Sequence, residues 1–180
     1  MQPSASASPT PTVAVRSQPS SAAPASSAPA TSARMPRPPK RAVRARVLRV
    51  TDGDTVVLSS IAVGEVDRST GGRKARLIGV DTPEVYGGAE CFGERASAFT
   101  KAALDGRSVF VDLDVDPVDR YGRALVYVWQ ADGTFFNGRL VAEGYASQAT
   151  FPPNVRYAGL FGTLARDARE ANRGLWSACS

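Results

Sequence analysis

The sequence predicts an α+β domain: a five-stranded Greek-key β-barrel of the OB type with about three helices, preceded by a disordered N-terminal tail. Three observations predict it. Five short runs between residues 42 and 129 read as strands, the helical patterns are inserted late, and the composition changes near residue 40. Residues 1–40 are almost wholly Ser, Ala, Pro and Thr, with Val at a few positions. Such a segment buries too little apolar surface to offset its ordering entropy. It is therefore expected to be a tether, with residues 41–180 as the folded domain.

Each element has its own signal. Residues 42–50 alternate Val43, Ala45 and Val47 with Arg44 and Arg46, as a strand does. Asp52-Gly53 reads as a turn, and residues 55–58 return as the second strand of a hairpin. Residues 59–72 form a loop ending in Gly71-Gly72, and residues 74–80 are expected as one third strand. Residues 94–104 read as a helix with Ala96, Phe99, Ala103 and Leu104 on one face and Gly106 beyond its end. Residues 108–113 alternate cleanly, and 123–129 give the fifth strand. Residues 137–143 suggest a short helix, and 155–171 a longer one stopped at Asn172 or Gly174. There is no internal repeat.

The basic charge belongs to the tail. The chain carries 22 basic and 17 acidic residues, a net +5. Residues 1–46 hold Arg16, Arg34, Arg37, Lys40, Arg41, Arg44 and Arg46 and no acid, so residues 47–180 carry 15 basic and 17 acidic groups. A uniformly basic nucleic-acid-binding domain is thereby excluded, whereas an enzyme with one local phosphate site is compatible. The Arg34–Arg46 stretch reads either as a salt-sensitive contact for nucleic acid or anionic lipid or as a solvated linker. No run in the tail reaches the length of an export signal or a membrane span. Either a signal lies upstream of a truncated or misassigned start, or the protein stays inside. Tethers of this composition commonly follow export signals or anchors, so a secreted or cell-envelope location is expected.

Histidine is absent, which excludes every mechanism with a histidine base or nucleophile, and two cysteines alone cannot build a zinc site. Cys91 precedes a predicted helix and Cys179 is penultimate. A disulfide between them is one reading. It would stabilise the fold by about 4–5 kcal/mol in the chain-entropy view and favour an oxidising compartment. Two unrelated thiols are the other.

The chemistry concentrates in Asp52-Gly53-Asp54-Thr55, in residues 76–84 (Arg-Leu-Ile-Gly-Val-Asp-Thr-Pro-Glu) and in residues 119–123 (Asp-Arg-Tyr-Gly-Arg). Asp54 and Asp81 in one pocket would repel unless a cation lay between them, and calcium suits oxygen ligands in flexible geometry. Asp52 reads as the turn residue. Pro83 restricts Thr82 and presents Glu84 at a defined angle. Arg76 and Arg123 lie near strands, where a guanidinium matches two phosphate oxygens. The set suits a metal-dependent phosphodiesterase. Turn capping for the aspartates, a solvent-facing loop for Glu84 and structural salt bridges for the arginines are the plain alternatives.

With these strings in order over residues 45–176, together with residues 93–101 (Gly-Glu-Arg-Ala-Ser-Ala-Phe-Thr-Lys) and Leu175-Trp176-Ser177, the chain resembles the staphylococcal nuclease (thermonuclease) family. The resemblance implies a calcium-dependent nuclease that cuts DNA and RNA and leaves 3′-phosphate and 5′-hydroxyl ends. It places Ca2+ on Asp54, Asp81 and the Thr82 carbonyl, Glu84 at the attacking water, Arg76 and Arg123 on the scissile phosphate, and Tyr121 on a nucleotide phosphate beside Arg120. Two features depart from the family. The loop 85–92 is shorter, lacks the lysines of a well-known member and carries Cys91. The two base-cradling tyrosines give way to residues 150–154 (Thr-Phe-Pro-Pro-Asn), in which Phe151 is the remaining stacking candidate. The expected partners are single-stranded or locally melted DNA and RNA, with no stable protein partner, no transmembrane segment and a monomeric state. A non-catalytic OB module that binds nucleic acid or protein is the competing class. A calcium-stabilised surface protein is a third reading. The first gives no need for three acids beside a phosphate site, and the second none for the two arginines.

Overall fold

A computed structural model describes residues 35–179. Residues 1–34 of the expected tether lie outside the described residues. Its remainder runs against the barrel: Trp129 Nε1 donates to the Pro36 carbonyl at 2.8 Å, and Met35 packs on the core.

Five strands close a barrel: β1 (Val43–Val50), β2 (Thr55–Leu58), β3 (Arg73–Leu77), β5 (Ser108–Val118) and β6 (Ala124–Gln130), in the order β1-β2-β3-β6-β5. All neighbours are antiparallel except β3 and β6, which run parallel with Arg76 opposite Leu125. That order is the expected Greek-key barrel. Period-2 patterning explains β1, and a continuous apolar run explains the largely buried β6. In β1, Ala45 and Val47 are buried while Arg44 and Arg46 face solvent, and in β6 Val126, Tyr127, Val128 and Trp129 are all buried. Helices α1 (Gly93–Leu104), α2 (Phe136–Ala142) and α3 (Ala158–Glu170) are joined by a single turn, α4 (Leu175–Ala178). No helix among the described residues is long and apolar enough to cross a membrane.

The core is aromatic at one end. Tyr127, Trp129, Phe135, Phe136 and Phe161 are fully buried, and Phe135 stacks at 5.0 Å on Trp129. Each such side chain contributes about 1.5–3 kcal/mol on burial. The α1 face differs slightly from its expected form. Ala96, Thr100 and Leu104 are the fully buried positions, and Phe99 instead stacks on Tyr145 at 3.9 Å with Arg139 over its other side.

Two elements differ from the sequence reading. The single strand expected over 74–80 breaks at Ile78. Residues 73–77 stay in the barrel, and β4 (Gly79–Asp81) leaves it to pair with β7 (Ser147–Ala149). Gly79 has a φ of +81°, and any Cβ there would collide with the Phe161 ring. The buried Asn137 amide secures the break. It donates to the Ile78 and Val126 carbonyls, while its oxygen accepts the Val128 N–H. β5 also runs five residues beyond its expected end, to Val118, because its second half extends past the core as an exposed arm.

Candidate active site

The break at Ile78 creates the site. Arg76 remains on β3 while Asp81 ends β4, and the turn between them lets one guanidinium reach two acids. Arg76 Nη1 donates to Asp54 at 2.9 Å and Nη2 donates to Asp81 at 2.6 Å. Asp54 is 2% exposed and enters from the β1–β2 turn; Asp81 stays half open, its side chain 54% exposed. The rest of the Asp54 carboxylate is also engaged. The Thr55 hydroxyl donates to one oxygen at 3.0 Å, and the Thr82 N–H donates to the other at 3.2 Å. The turn itself is pinned from below, where the buried Thr100 hydroxyl of α1 donates to the Gly53 carbonyl at 2.6 Å. Asp52 accepts the Gly53 N–H at 2.6 Å, the turn role expected of it.

The electrostatics are unbalanced. Burial pushes the Asp54 carboxyl above its ordinary value, and Arg76 and the Thr82 N–H pull it back only in part. Glu84 lies on the exposed rim. Its carboxyl is also raised, first by desolvation and then by the charges of Asp52 and Asp54. Two carboxylates bond one guanidinium, and those of Asp52 and Glu84 add negative charge nearby. Thr82 adds a second sign of an unmet partner: its hydroxyl oxygen is buried without a hydrogen-bond partner among the described residues. No group of three or more His, Cys, Asp or Glu side chains is arranged as a ready metal cage there. The donor set is two carboxylates with surrounding backbone and hydroxyl oxygens, which fits a hard cation that keeps much of its water.

The other expected residues gather beside this centre without joining it. Arg123 pairs with Asp119 through Nε at 2.8 Å and Nη2 at 2.7 Å, while its own N–H donates to the same carboxylate. Arg120 lies 4.7 Å over the Tyr121 ring and donates to its hydroxyl at 2.6 Å, and Arg123 lies 5.4 Å from that ring. Tyr121 is 62% exposed. A cleft of about 230 Å³ brings Arg76 together with Arg120, Phe151 and Asn154. Phe151 is 73% exposed at its edge. Its loop is anchored by Asn154, whose side chain exchanges two 2.8 Å hydrogen bonds with the Asp116 backbone on the β5 arm. Cys91 and Cys179 form a disulfide, with their Cα atoms 5.8 Å apart.

Sequence reasoning missed several supporting residues. Asp119 stands four positions from Arg123 inside the quoted string, a spacing that was a usable signal. Thr100, Asn137 and Asn154 gave none, because each matters only through backbone atoms brought to it by the fold.

A guanidinium bonded to two acids thus stands where a barrel strand breaks outward. A profile of the family described as staphylococcal nuclease homologue matches residues 74–178. The chain is 37% identical over 133 residues to a thermonuclease of Staphylococcus intermedius, covering 72% of this chain and 74% of that protein. It is 35% identical over 135 residues to a thermonuclease of Staphylococcus hyicus, covering 73% and 75%. To an uncharacterized endonuclease of Escherichia coli it is 32% identical over 139 residues, covering 75% and 78%. The chain belongs to the staphylococcal nuclease family.

Proposed function

We propose that this member of a nuclease family is a calcium-dependent phosphodiesterase that hydrolyses DNA and RNA and leaves 5′-hydroxyl and 3′-phosphate ends. The observation that carries the reading is the excess of acid around Arg76, with Asp54 and Asp81 both bound to it and Glu84 on the rim. Asp54, Asp81 and the Thr82 carbonyl would hold the calcium ion, which supplies positive charge to a non-bridging phosphate oxygen when bound.

The remaining work falls to the chain's own residues. Glu84, exposed on the rim beside the charges of Asp52 and Asp54, orients a water and takes its proton. The water attacks phosphorus in line with the 5′-oxygen, the P–O5′ bond breaks, and the departing oxygen takes a proton from solvent water to become the 5′-hydroxyl. Arg76 turns from its carboxylates to the equatorial oxygens as charge grows there, and Arg123 exchanges Asp119 for the same phosphate. Phe151 stacks on a base at the cleft edge, while Tyr121 and Arg120 hold a neighbouring phosphate. The disulfide supports action in an oxidising, extracellular or envelope compartment.

Cleavage of single-stranded DNA by the purified protein, in millimolar calcium and then in chelator, tests the proposal. Calcium-dependent cleavage with 5′-hydroxyl ends is the expected result. Folded protein that fails to cut in calcium, or that leaves 5′-phosphate ends, would overturn it. An Arg123→Ala variant losing less than tenfold, about 1.4 kcal/mol, would remove Arg123 from the transition state.

A further inference from the structure

The loop behind Glu84 holds a feature the proposed chemistry does not use. Glu90 closes the loop 84–92 onto Glu84 from both sides. Its side-chain carboxylate accepts the Glu84 N–H at 3.0 Å, and its own N–H donates to the Glu84 carbonyl at 2.9 Å. The loop between them contains Gly87 and Gly88, both at positive φ, and its residues 86–90 are all exposed. No residue of the loop is buried, and the Gly93 N–H donates to the Glu90 carbonyl at 3.1 Å, a first tie of Glu90 to the start of α1. A hydrogen bond between two exposed groups is too weak alone to hold such a segment in one geometry.

The stiffness comes from the next residue. Cys91 is bonded to Cys179, 88 positions away. The far end, none of whose α4 residues is buried, is held by contacts to the body: the Leu175 N–H donates to the Gly144 carbonyl at 2.9 Å, and the Trp176 ring lies 4.3 Å from the Arg169 guanidinium of α3. On the other side of the loop, Gly93 begins α1 so close to Glu84 that a Cβ there would lie 2.5 Å from the Glu84 carbonyl oxygen. Glu84 is thus gripped by Glu90, and Glu90 is fixed through its neighbour to the C-terminal turn.

We propose that Glu90 is a positioning residue for Glu84, and that the Cys91–Cys179 crosslink holds Glu90 in place for this task. The proposal rests on Glu84 acting as the base. The backbone clamp sets the direction in which the Glu84 side chain leaves the chain, so its loss misplaces the base relative to the water. A base misplaced by an ångström lowers turnover and leaves substrate binding nearly intact.

The test measures kcat and KM on single-stranded DNA in calcium, well below the melting temperature, for wild type, Glu90→Ala, Glu90→Gln, a Cys91→Ser/Cys179→Ser double variant and Glu84→Gln. Near-ultraviolet circular dichroism checks the fold of each. Glu90→Ala is expected to lose at least tenfold in kcat with KM within twofold. Glu90→Gln, which keeps an acceptor for the Glu84 N–H, recovers most of that loss. The folded double variant shows the same kcat defect as Glu90→Ala. A Glu90→Ala kcat within twofold of wild type, or a folded double variant with wild-type kcat, would overturn the proposal. If the double variant does not fold, the two Glu90 variants decide it. Glu84→Gln separates the two levels: a fully active Glu84→Gln removes the base reading itself, whereas an inactive Glu84→Gln beside an unimpaired Glu90→Ala removes only the positioning role.

Discussion

Two clusters of arginine and aspartate on this barrel use the same side chains to opposite ends. At the rim, Arg76 serves Asp54 and Asp81, with Asp52 and Glu84 adding charge nearby. On β5, Arg41 and Arg156 serve Asp112 and Asp114. Arg41 Nε lies 2.9 Å from Asp112, Arg156 Nη1 also bonds Asp112, and Arg156 Nη2 lies 3.0 Å from Asp114. There the count is two against two, both acid side chains are at most 7% exposed, and Asp114 also accepts the Tyr127 hydroxyl at 2.8 Å. A balanced, satisfied cluster stabilises. The rim cluster instead keeps an open carboxylate and a hydroxyl without a partner among the described residues, which is why the proposed chemistry is placed there. Charge balance, rather than composition, separates structure from chemistry.

The largest effect that sharpens this contrast is expected at the rim. Arg76→Ala should lower kcat by about 10²–10³-fold, the usual loss when a donor aimed at transition-state charge is removed. The loss of turnover should dominate, although buried Asp54, left without its guanidinium, also lowers the melting temperature. Steady-state kinetics beside a thermal melt checks both, and a variant within tenfold of wild-type kcat would break the contrast.

Arg156→Ala should do the reverse. It leaves two nearly buried carboxylates short of a partner, which is expected to cost about 3 kcal/mol of stability. Melting should fall by roughly 10 °C. Turnover of the folded fraction should stay within twofold of wild type.

The smallest effect concerns pH. Burial alone would raise the Asp112 carboxyl, but hydrogen bonds from Arg41 and Arg156 outweigh it and hold the group below its ordinary value. A depressed folded value means that the unfolded chain takes the proton first as pH falls. The stabilisation is complete above the unfolded value of about 3.9 and is lost as pH drops through it toward the folded value. Asp112→Asn should therefore lower the melting temperature at pH 7 more than at pH 2.5. Equal lowering at both would contradict the assignment.

The two clusters were not equally legible in the sequence. Asp54, Arg76, Asp81 and Glu84 sit in short strings whose turn and proline chemistry announces a site, and the structure does bring the first three together. The β5 cluster joins Arg41 to Asp112 across 71 positions and Arg156 to Asp112 across 44, so no local pattern marks it. The barrel order followed from strand patterning. The break at Ile78 did not, because the groups that accompany it, Asn137 on the Ile78 carbonyl and Phe161 where a Gly79 side chain would lie, come from distant helices. Glu90 was silent for a similar reason, since it reads as an ordinary loop acid until its carboxylate is seen on the Glu84 N–H.

On the proposed function, the acid excess at the rim is a calcium site serving phosphodiester hydrolysis. Calcium titration of wild type and of Asp81→Ala, followed by melting temperature and by cleavage of single-stranded DNA, tests it most directly. Wild type should gain stability with calcium, about 2.7 kcal/mol at a hundredfold excess over Kd, and should gain cleavage in step. Asp81→Ala should gain neither at the same concentrations. Cleavage that persists in chelator, or a calcium-induced rise in melting temperature that survives Asp81→Ala, would contradict the account.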